Sequence, residues 1–126
     1  MARKPATVTE TELAILEVLW DHGSCMVRDI VASIYEKHSP VLHATVKSLL
    51  ERLATKGFVA CDTSGFTHRF SARVTREAYV AQELERLAES HYGGALAPLM
   101  LSLVEKAKLT RKDRDAIRKI IENIPE

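Results

Sequence analysis

The sequence predicts a mainly α-helical protein with a small β-hairpin: an N-terminal winged helix-turn-helix domain and a C-terminal helical dimerisation domain. Three segments with apolar residues at helical spacing come first, and two short aromatic and β-branched runs joined by a glycine-bearing turn follow. Three more helical segments complete the chain. We therefore predict a DNA-binding domain over residues 1–74 and a three-helix domain over residues 75–126.

The first two helices are predicted from a capping pattern and from apolar spacing. Thr9-Glu10-Thr11-Glu12 has the spacing of a capping box, and Asp21-His22-Gly23 ends the helix that it begins. A second helix, from about Val27 to Lys37, has one apolar side. Both helices are short enough to pack against a third in a helix-turn-helix arrangement.

The stretch from Ser39 to Phe58 predicts a third helix with two chemically different faces. Pro40 suits its start and Gly57 its end. At 100° per residue, one arc holds the apolar residues Leu42, Val46, Leu49, Leu50 and Leu53. Small, hydroxylated and cationic side chains on the opposite face suit a DNA major groove. The candidate DNA contacts of this helix are His43, Thr45, Lys47, Ser48 and Arg52.

A predicted β-hairpin follows the third helix. Its strands cover residues 58–62 and 66–74, and Thr63-Ser64-Gly65 forms the turn between them. A hairpin in this position is the wing of a winged-helix domain. Its second strand carries His68, Arg69 and Arg73, which we expect to contact DNA phosphates.

The charge distribution supports a polyanionic partner, although the net charge is only +1. Residues 10–36 carry one cationic side chain and six acidic ones, whereas residues 37–74 carry six cationic and two acidic ones. Arg3 and Lys4 add positive charge at the N-terminus. We expect double-stranded DNA to bind the positive face, with phosphates supplying most of the affinity.

Several other classes of function lack support in the sequence. We find no apolar run long enough to cross a membrane and no signal peptide, so we expect a cytoplasmic protein without membrane insertion. The histidines and cysteines lack the spacing of a metal site, and we expect no metal and no cofactor. Without a nucleophile elbow or a phosphate-binding loop, an enzyme is not expected.

The C-terminal segment predicts three short amphipathic helices, over residues 75–92, about 95–106 and from Thr110 onward. Together they have little to fold around, so we expect them to pair with a second copy. The alternative is that they pack onto the first domain. A homodimer would place two recognition helices about 34 to 36 Å apart on DNA. The candidate dimerisation residues are Leu84, Leu87, Leu96, Leu99, Met100, Leu103, Ile117, Ile120 and Ile121.

Three motifs resemble those of the penicillinase repressor family, and the resemblance covers nearly the whole chain. They are Glu12-Leu13 with Leu19-Trp20, the run Thr45-Val46-Lys47-Ser48-Leu49-Leu50-Glu51-Arg52-Leu53 with Lys56-Gly57, and Tyr92-Gly93-Gly94. The resemblance implies a homodimeric repressor on a dyad-symmetric operator. It also implies release on a signal from a membrane-embedded sensor zinc peptidase, by cleavage at a bond that corresponds to Ser102-Leu103.

The chain departs from the family pattern at three points. The relatives that are cleaved typically have Asn-Phe where this chain has Ser102-Leu103. Lys47 stands where relatives often have arginine, which suggests a related but different operator, because lysine lacks the planar fork of arginine. The copper-sensing branch of the family carries clusters of cysteines near the C-terminus, whereas no cysteine follows Cys61 in this chain. A copper-thiolate switch is therefore not expected. A dimeric protein-interaction module without specific DNA binding remains the alternative function.

Overall fold

The structure is a computed structural model that describes residues 7–106 and 109–125. Its elements are α1 (Glu10–His22), α2 (Val27–Tyr35), α3 (Pro40–Thr55), β1 (Val59–Asp62), β2 (Arg69–Ala72), α4 (Arg76–Tyr92), α5 (Leu96–Lys106) and α6 (Arg111–Glu122). The predicted fold class is confirmed: the described part of the chain is mainly helical, with one two-stranded antiparallel hairpin after the third helix. Arg3 and Lys4 lie outside the described residues.

Side-chain caps fix where the first and third helices begin. The Thr9 hydroxyl accepts a hydrogen bond from the backbone N–H of Glu12, and the Glu12 carboxylate accepts one from the N–H of Thr9, which confirms the predicted capping box. Ser39 caps α3 by accepting from Leu42 N at 3.0 Å, and Pro40 occupies the first turn. α2 ends two residues earlier than predicted, because Glu36 adopts a left-handed conformation with φ of 56°.

The core of the first unit lies between α1, α2, α3 and the hairpin. Each helix contributes its predicted apolar side, and the hairpin closes one end of the core. Burying such side chains removes apolar surface from water and supplies most of the stabilisation. The most fully buried members are Ile15, Leu16, Leu19, Ile30, Val31, Val46, Leu50 and Leu53.

The hairpin is shorter than the sequence predicted. Its register pairs Val59 with Ala72 and Asp62 with Arg69, so the second strand begins at Arg69 and not at Phe66. His68 therefore lies in the connecting loop, residues 63–68, and not on the strand. The alternation of aromatic residues was misleading, because the ring of Phe66 is exposed while that of Phe70 is buried.

A third segment joins the hairpin on the other side of β2. The N–H of Cys25 donates to the carbonyl of Phe70 at 2.9 Å, and the N–H of Phe70 donates back to the carbonyl of Cys25 at 2.7 Å. These two hydrogen bonds tie the wing to the α1–α2 connection. The sequence did not predict this contact.

The first turns of α4 belong to the first compact unit, which extends to Gln82. Tyr79 is buried, and its ring centre lies 5.7 Å from that of Trp20 and 6.1 Å from that of Phe58. The Trp20 indole N–H donates to the carbonyl of Val74 at 2.9 Å. The packing of the first unit therefore continues beyond Val74, after which we predicted the domain boundary, into the first turns of α4.

The second unit, from Glu83 onward, contains the rest of α4 with α5 and α6. Gly93 and Gly94 separate α4 from α5 with φ of 58° and 90°, conformations that glycine adopts without steric cost. Thr110 begins α6 with a capping box to Asp113, as its Thr-x-x-Asp spacing predicted. No helix in the described part of the chain is both long and apolar enough to cross a membrane.

Candidate nucleic-acid interface

The outward face of α3 carries the predicted DNA-contacting side chains. His43, Thr45, Lys47, Ser48 and Arg52 are all exposed, while Val46, Leu50 and Leu53 on the opposite side are fully buried. Because the buried side locks the rotation of the helix about its axis, the exposed side faces in one fixed direction.

The hydroxyl group of Thr45 is already engaged as a hydrogen-bond donor within α3. Its hydroxyl donates to the carbonyl of Val41 at 2.9 Å, one turn back in the same helix. The hydroxyl hydrogen is therefore engaged, and the side chain offers a methyl group and an acceptor lone pair. These suit a thymine methyl or an amino group in the major groove.

Arg69 anchors the wing. Its Nε donates to the Ser24 hydroxyl at 3.0 Å and its Nη2 donates to the Ser24 carbonyl at 2.8 Å. A guanidinium has five N–H donors, so others remain for a phosphate. Arg73 lies just beyond β2 with its side chain exposed and its backbone N–H donating to the carbonyl of Phe58. The predicted wing residues are thus placed on the hairpin (Arg69), in its loop (His68) and at its end (Arg73).

A groove of about 490 Å³ lies between α3 and the wing loop, and we call it the wing groove. His43 and Lys47 line it from α3, and Phe66, Thr67 and His68 line it from the loop. The wing groove therefore brings together residues that the sequence predicted separately on the helix and on the wing.

Arg28 also lines the wing groove, and sequence reasoning missed it. It was counted with the acidic N-terminal helices, where it is the only cationic residue between positions 10 and 36. Its position in the first turn of α2 was the available signal, because the first helix of a helix-turn-helix pair crosses the DNA backbone.

Lys56 is not part of the basic face, which corrects the charge count made from the sequence. Its Nζ lies 2.8 and 2.9 Å from the two carboxylate oxygens of Glu12, and it donates to the carbonyl of Thr7 at 2.8 Å. Glu12 is completely buried. The cation therefore compensates a buried anion and adds little positive charge for DNA.

The Glu12 carboxyl has a lowered pKa, although burial acts in the opposite direction. Desolvation alone would raise it, but the hydrogen bonds from Lys56 and Thr9 together outweigh that effect. Glu12 is thus held in its ionised form, and the Glu12-Leu13 and Lys56-Gly57 motifs meet in one ion pair that joins the start of α1 to the end of α3.

The described residues hold no cluster of three or more histidine, cysteine or acidic side chains with the arrangement of a metal site. The first unit combines an exposed helix face with a wing, and cationic and polar side chains line the groove between them. This combination is that of a winged helix-turn-helix domain.

Comparison with known sequences gives the family. A sequence profile of the penicillinase repressor family matches residues 8–123, so the chain belongs to that family. Its members are in general DNA-binding transcriptional repressors, and the family is not an enzymatic one.

Two curated relatives are penicillinase repressors. The one from Staphylococcus aureus is 23% identical over 124 residues, which cover 98% of each chain. The one from Bacillus licheniformis is 21% identical over 120 residues, covering 95% of this chain and 93% of the relative. A third relative, an uncharacterised 16.5 kDa protein from Latilactobacillus sakei, is 23% identical over 113 residues, or 90% of this chain and 77% of its own length.

Proposed function

We propose that this protein represses transcription by binding a dyad-symmetric DNA operator as a homodimer. The observation that carries the DNA-binding part is the wing groove, where Lys47 of α3 and Arg28 of α2 face the wing loop. Cations on two separate elements, α2 and α3, together with the polar side chains of the wing loop, match a phosphate backbone. Thr45 and Ser48 on α3 can reach base edges.

The dimer is supported by the apolar surface of the C-terminal half. Of the large apolar side chains that are exposed, most lie between Val80 and Ile124. Leaving this area in water forgoes about 25 cal/mol per Å² of stabilisation, which a second copy would supply. Among the candidate dimerisation residues Leu99 is buried, Ile117 is half-buried, and the exposed ones are Leu84, Leu87, Leu96, Met100, Leu103, Ile120 and Ile121.

The proposed release acts on α5. Ser102 and Leu103 both lie inside this helix, and the Ser102 hydroxyl donates to the carbonyl of Pro98 at 3.1 Å. Ser102 also shares a 3.0 Å hydrogen bond with the hydroxyl of Tyr92. A bond inside a helix must unfold locally before a peptidase can hold it extended. Cleavage there by a membrane-embedded sensor zinc peptidase would cut α5, weaken the dimer and release the operator.

DNA binding is tested by titrating the full chain with a fluorescent duplex of random sequence between 50 and 200 mM salt. We expect binding that weakens with salt, and we expect Lys47→Met to lower the log–log slope by about 0.9. Lys119→Met, which removes an exposed lysine from α6, is the matched control and should leave the slope unchanged. Absence of binding at low salt would favour the alternative, a dimeric interaction module without specific DNA binding.

Dimerisation is tested with a charge placed in the exposed apolar surface of the full chain. Met100→Glu and Ile121→Glu should shift the protein toward monomer in sedimentation velocity and should weaken operator binding, because two linked contacts bind far better than one. Lys119→Glu introduces the same side chain at an exposed polar position of α6 and should leave the dimer intact. A dimer that survives both apolar substitutions would place its interface elsewhere.

A further inference from the structure

We propose that Phe66, in the loop of the wing, enters the DNA minor groove and contacts the base stack there, so that the wing selects deformable base steps. This inference rests on the proposed function. It differs from a phosphate-positioning role of the wing, because it assigns sequence selection to an apolar side chain.

Phe66 is unusual because its ring is fully exposed. It lies in the loop between β1 and β2, whereas Phe70 on β2 is buried in the core. A ring with no cover adds nothing to the stability of the fold and leaves a large apolar surface in water. Such a residue is explained by a partner that covers it.

The wing loop is held in place at both ends. At its start, the Asp62 carboxylate accepts a hydrogen bond from the N–H of Ser64 at 2.9 Å, which shapes the turn. At its end, the two hydrogen bonds from Arg69 to Ser24 fix the base of the hairpin. Phe66 is therefore presented from an anchored loop, which reduces the entropy lost when it binds.

The wing groove determines on which side of a DNA backbone the ring would lie. One sugar–phosphate strand separates the major groove of B-DNA from the adjacent minor groove. Lys47 and His43 line the wing groove from α3, Phe66, Thr67 and His68 line it from the wing loop, and Arg28 also lines it. Phe66 therefore lies at the wing side of the groove, across from Lys47. These cationic and polar walls suit a phosphate strand. With α3 in the major groove and that strand in the wing groove, the loop reaches the minor-groove side.

The minor groove is about 6 Å wide, too narrow for a helix but wide enough for a side chain. Apolar side chains, phenylalanine among them, act there as wedges that partly unstack a base step and kink the duplex. A phenyl ring has no conventional hydrogen-bonding group, so it responds to how easily a step deforms. Pyrimidine–purine steps such as TA are the most flexible, and we expect them opposite Phe66.

The test begins with the full chain and a pool of duplexes that carry a randomised central region. Repeated selection yields a bound duplex, and affinity is then measured for wild type, Phe66→Ala and Phe66→Leu. We expect Phe66→Ala to weaken binding at least about fivefold, because loss of one stacking contact costs roughly 1 kcal/mol or more. Phe66→Leu, which keeps an apolar wedge, should retain most of the affinity. Thr63→Ala, at an exposed position of the same loop, is the matched control and should bind like wild type.

A second measurement locates the contact. 2-Aminopurine placed at the step beside the proposed wedge should brighten when wild type binds, because unstacking relieves its quenching, and Phe66→Ala should abolish the increase. If Phe66→Ala matches wild type in both measurements, the inference is wrong and the ring has a protein partner instead. If wild type itself selects no duplex, the proposed DNA-binding function fails, and the inference fails with it.

Discussion

Replacing Lys56 by methionine should destabilise the first unit without weakening the intrinsic contact of the folded protein with DNA. The substitution removes the ammonium that lies 2.8 and 2.9 Å from the carboxylate oxygens of Glu12. The residue is completely buried, so its carboxylate would be left ionised without its cationic partner, while keeping the capping hydrogen bond from the N–H of Thr9. Methionine preserves most of the length and apolar stem of lysine.

The expected cost is about 3 kcal/mol. Removing one partner of a buried ion pair typically costs about 3 to 5 kcal/mol, and the lower end applies because the Lys56 side chain is 26% exposed and partly hydrated. A unit of this size loses about 4 to 8 °C in melting temperature per kcal/mol, which gives a decrease of about 12 to 24 °C. Adding Glu12→Gln should recover much of the loss, because glutamine is neutral and can still complete the capping box.

Thermal unfolding followed by Trp20 fluorescence measures the effect, since Trp20 packs against Tyr79 in the first unit. In parallel, the salt dependence of binding to random duplex DNA should be the same for Lys56→Met and wild type at a temperature where both are folded. An unchanged melting temperature together with a flatter salt dependence would refute the reasoning, because that result would make Lys56 a phosphate contact and not the partner of a buried carboxylate.

Three further predictions follow from other contacts. Because the pKa of Glu12 is held below its ordinary value of 4.5, stability should be lost as the pH falls through that lowered pKa, and Glu12→Gln should flatten the loss seen by urea unfolding. Burial raises the pKa of the Cys25 thiol, whereas Cys61 is exposed, so alkylation followed by mass spectrometry should modify Cys61 first and Cys25 only on unfolding. Gly94→Ala should cost about 1 kcal/mol or more in chemical unfolding, because Gly94 has φ of 90°, where a Cβ is strained. Gly65→Ala, at a position without positive φ, should be nearly neutral.

The sequence predicted the helices well because their signals are local. A capping box at Thr9 and Glu12 spans four residues, and the apolar arc of α3 spans four turns, so each can be identified without knowing the rest of the fold. Pro40 and Gly57 mark the two ends of α3 for the same reason: each acts on the backbone at its own position.

The contacts that sequence reasoning missed join distant positions. Glu12 and Lys56 are 44 residues apart, and nothing in the charge of either predicts its partner. The backbone pairing of Cys25 with Phe70 is a single bridge, and the one residue at Cys25 is too short a segment to give a strand pattern in the sequence. The start of β2 was misplaced because Phe66 and Phe70 have similar local patterns, and only the tertiary packing distinguishes the buried ring from the exposed one.

The packing of Tyr79 bears on how modular these repressors are. An exchange of DNA-reading units between members of the family that joined the chains directly after Val74 would remove the ring that covers Trp20 and Phe58. The recipient would have to supply a ring of matching size at the corresponding turn of α4. A chimera with its junction beyond Gln82 keeps Tyr79 packed on Trp20 and Phe58. The natural unit of exchange is therefore the winged helix together with the first turns of the helix that follows it.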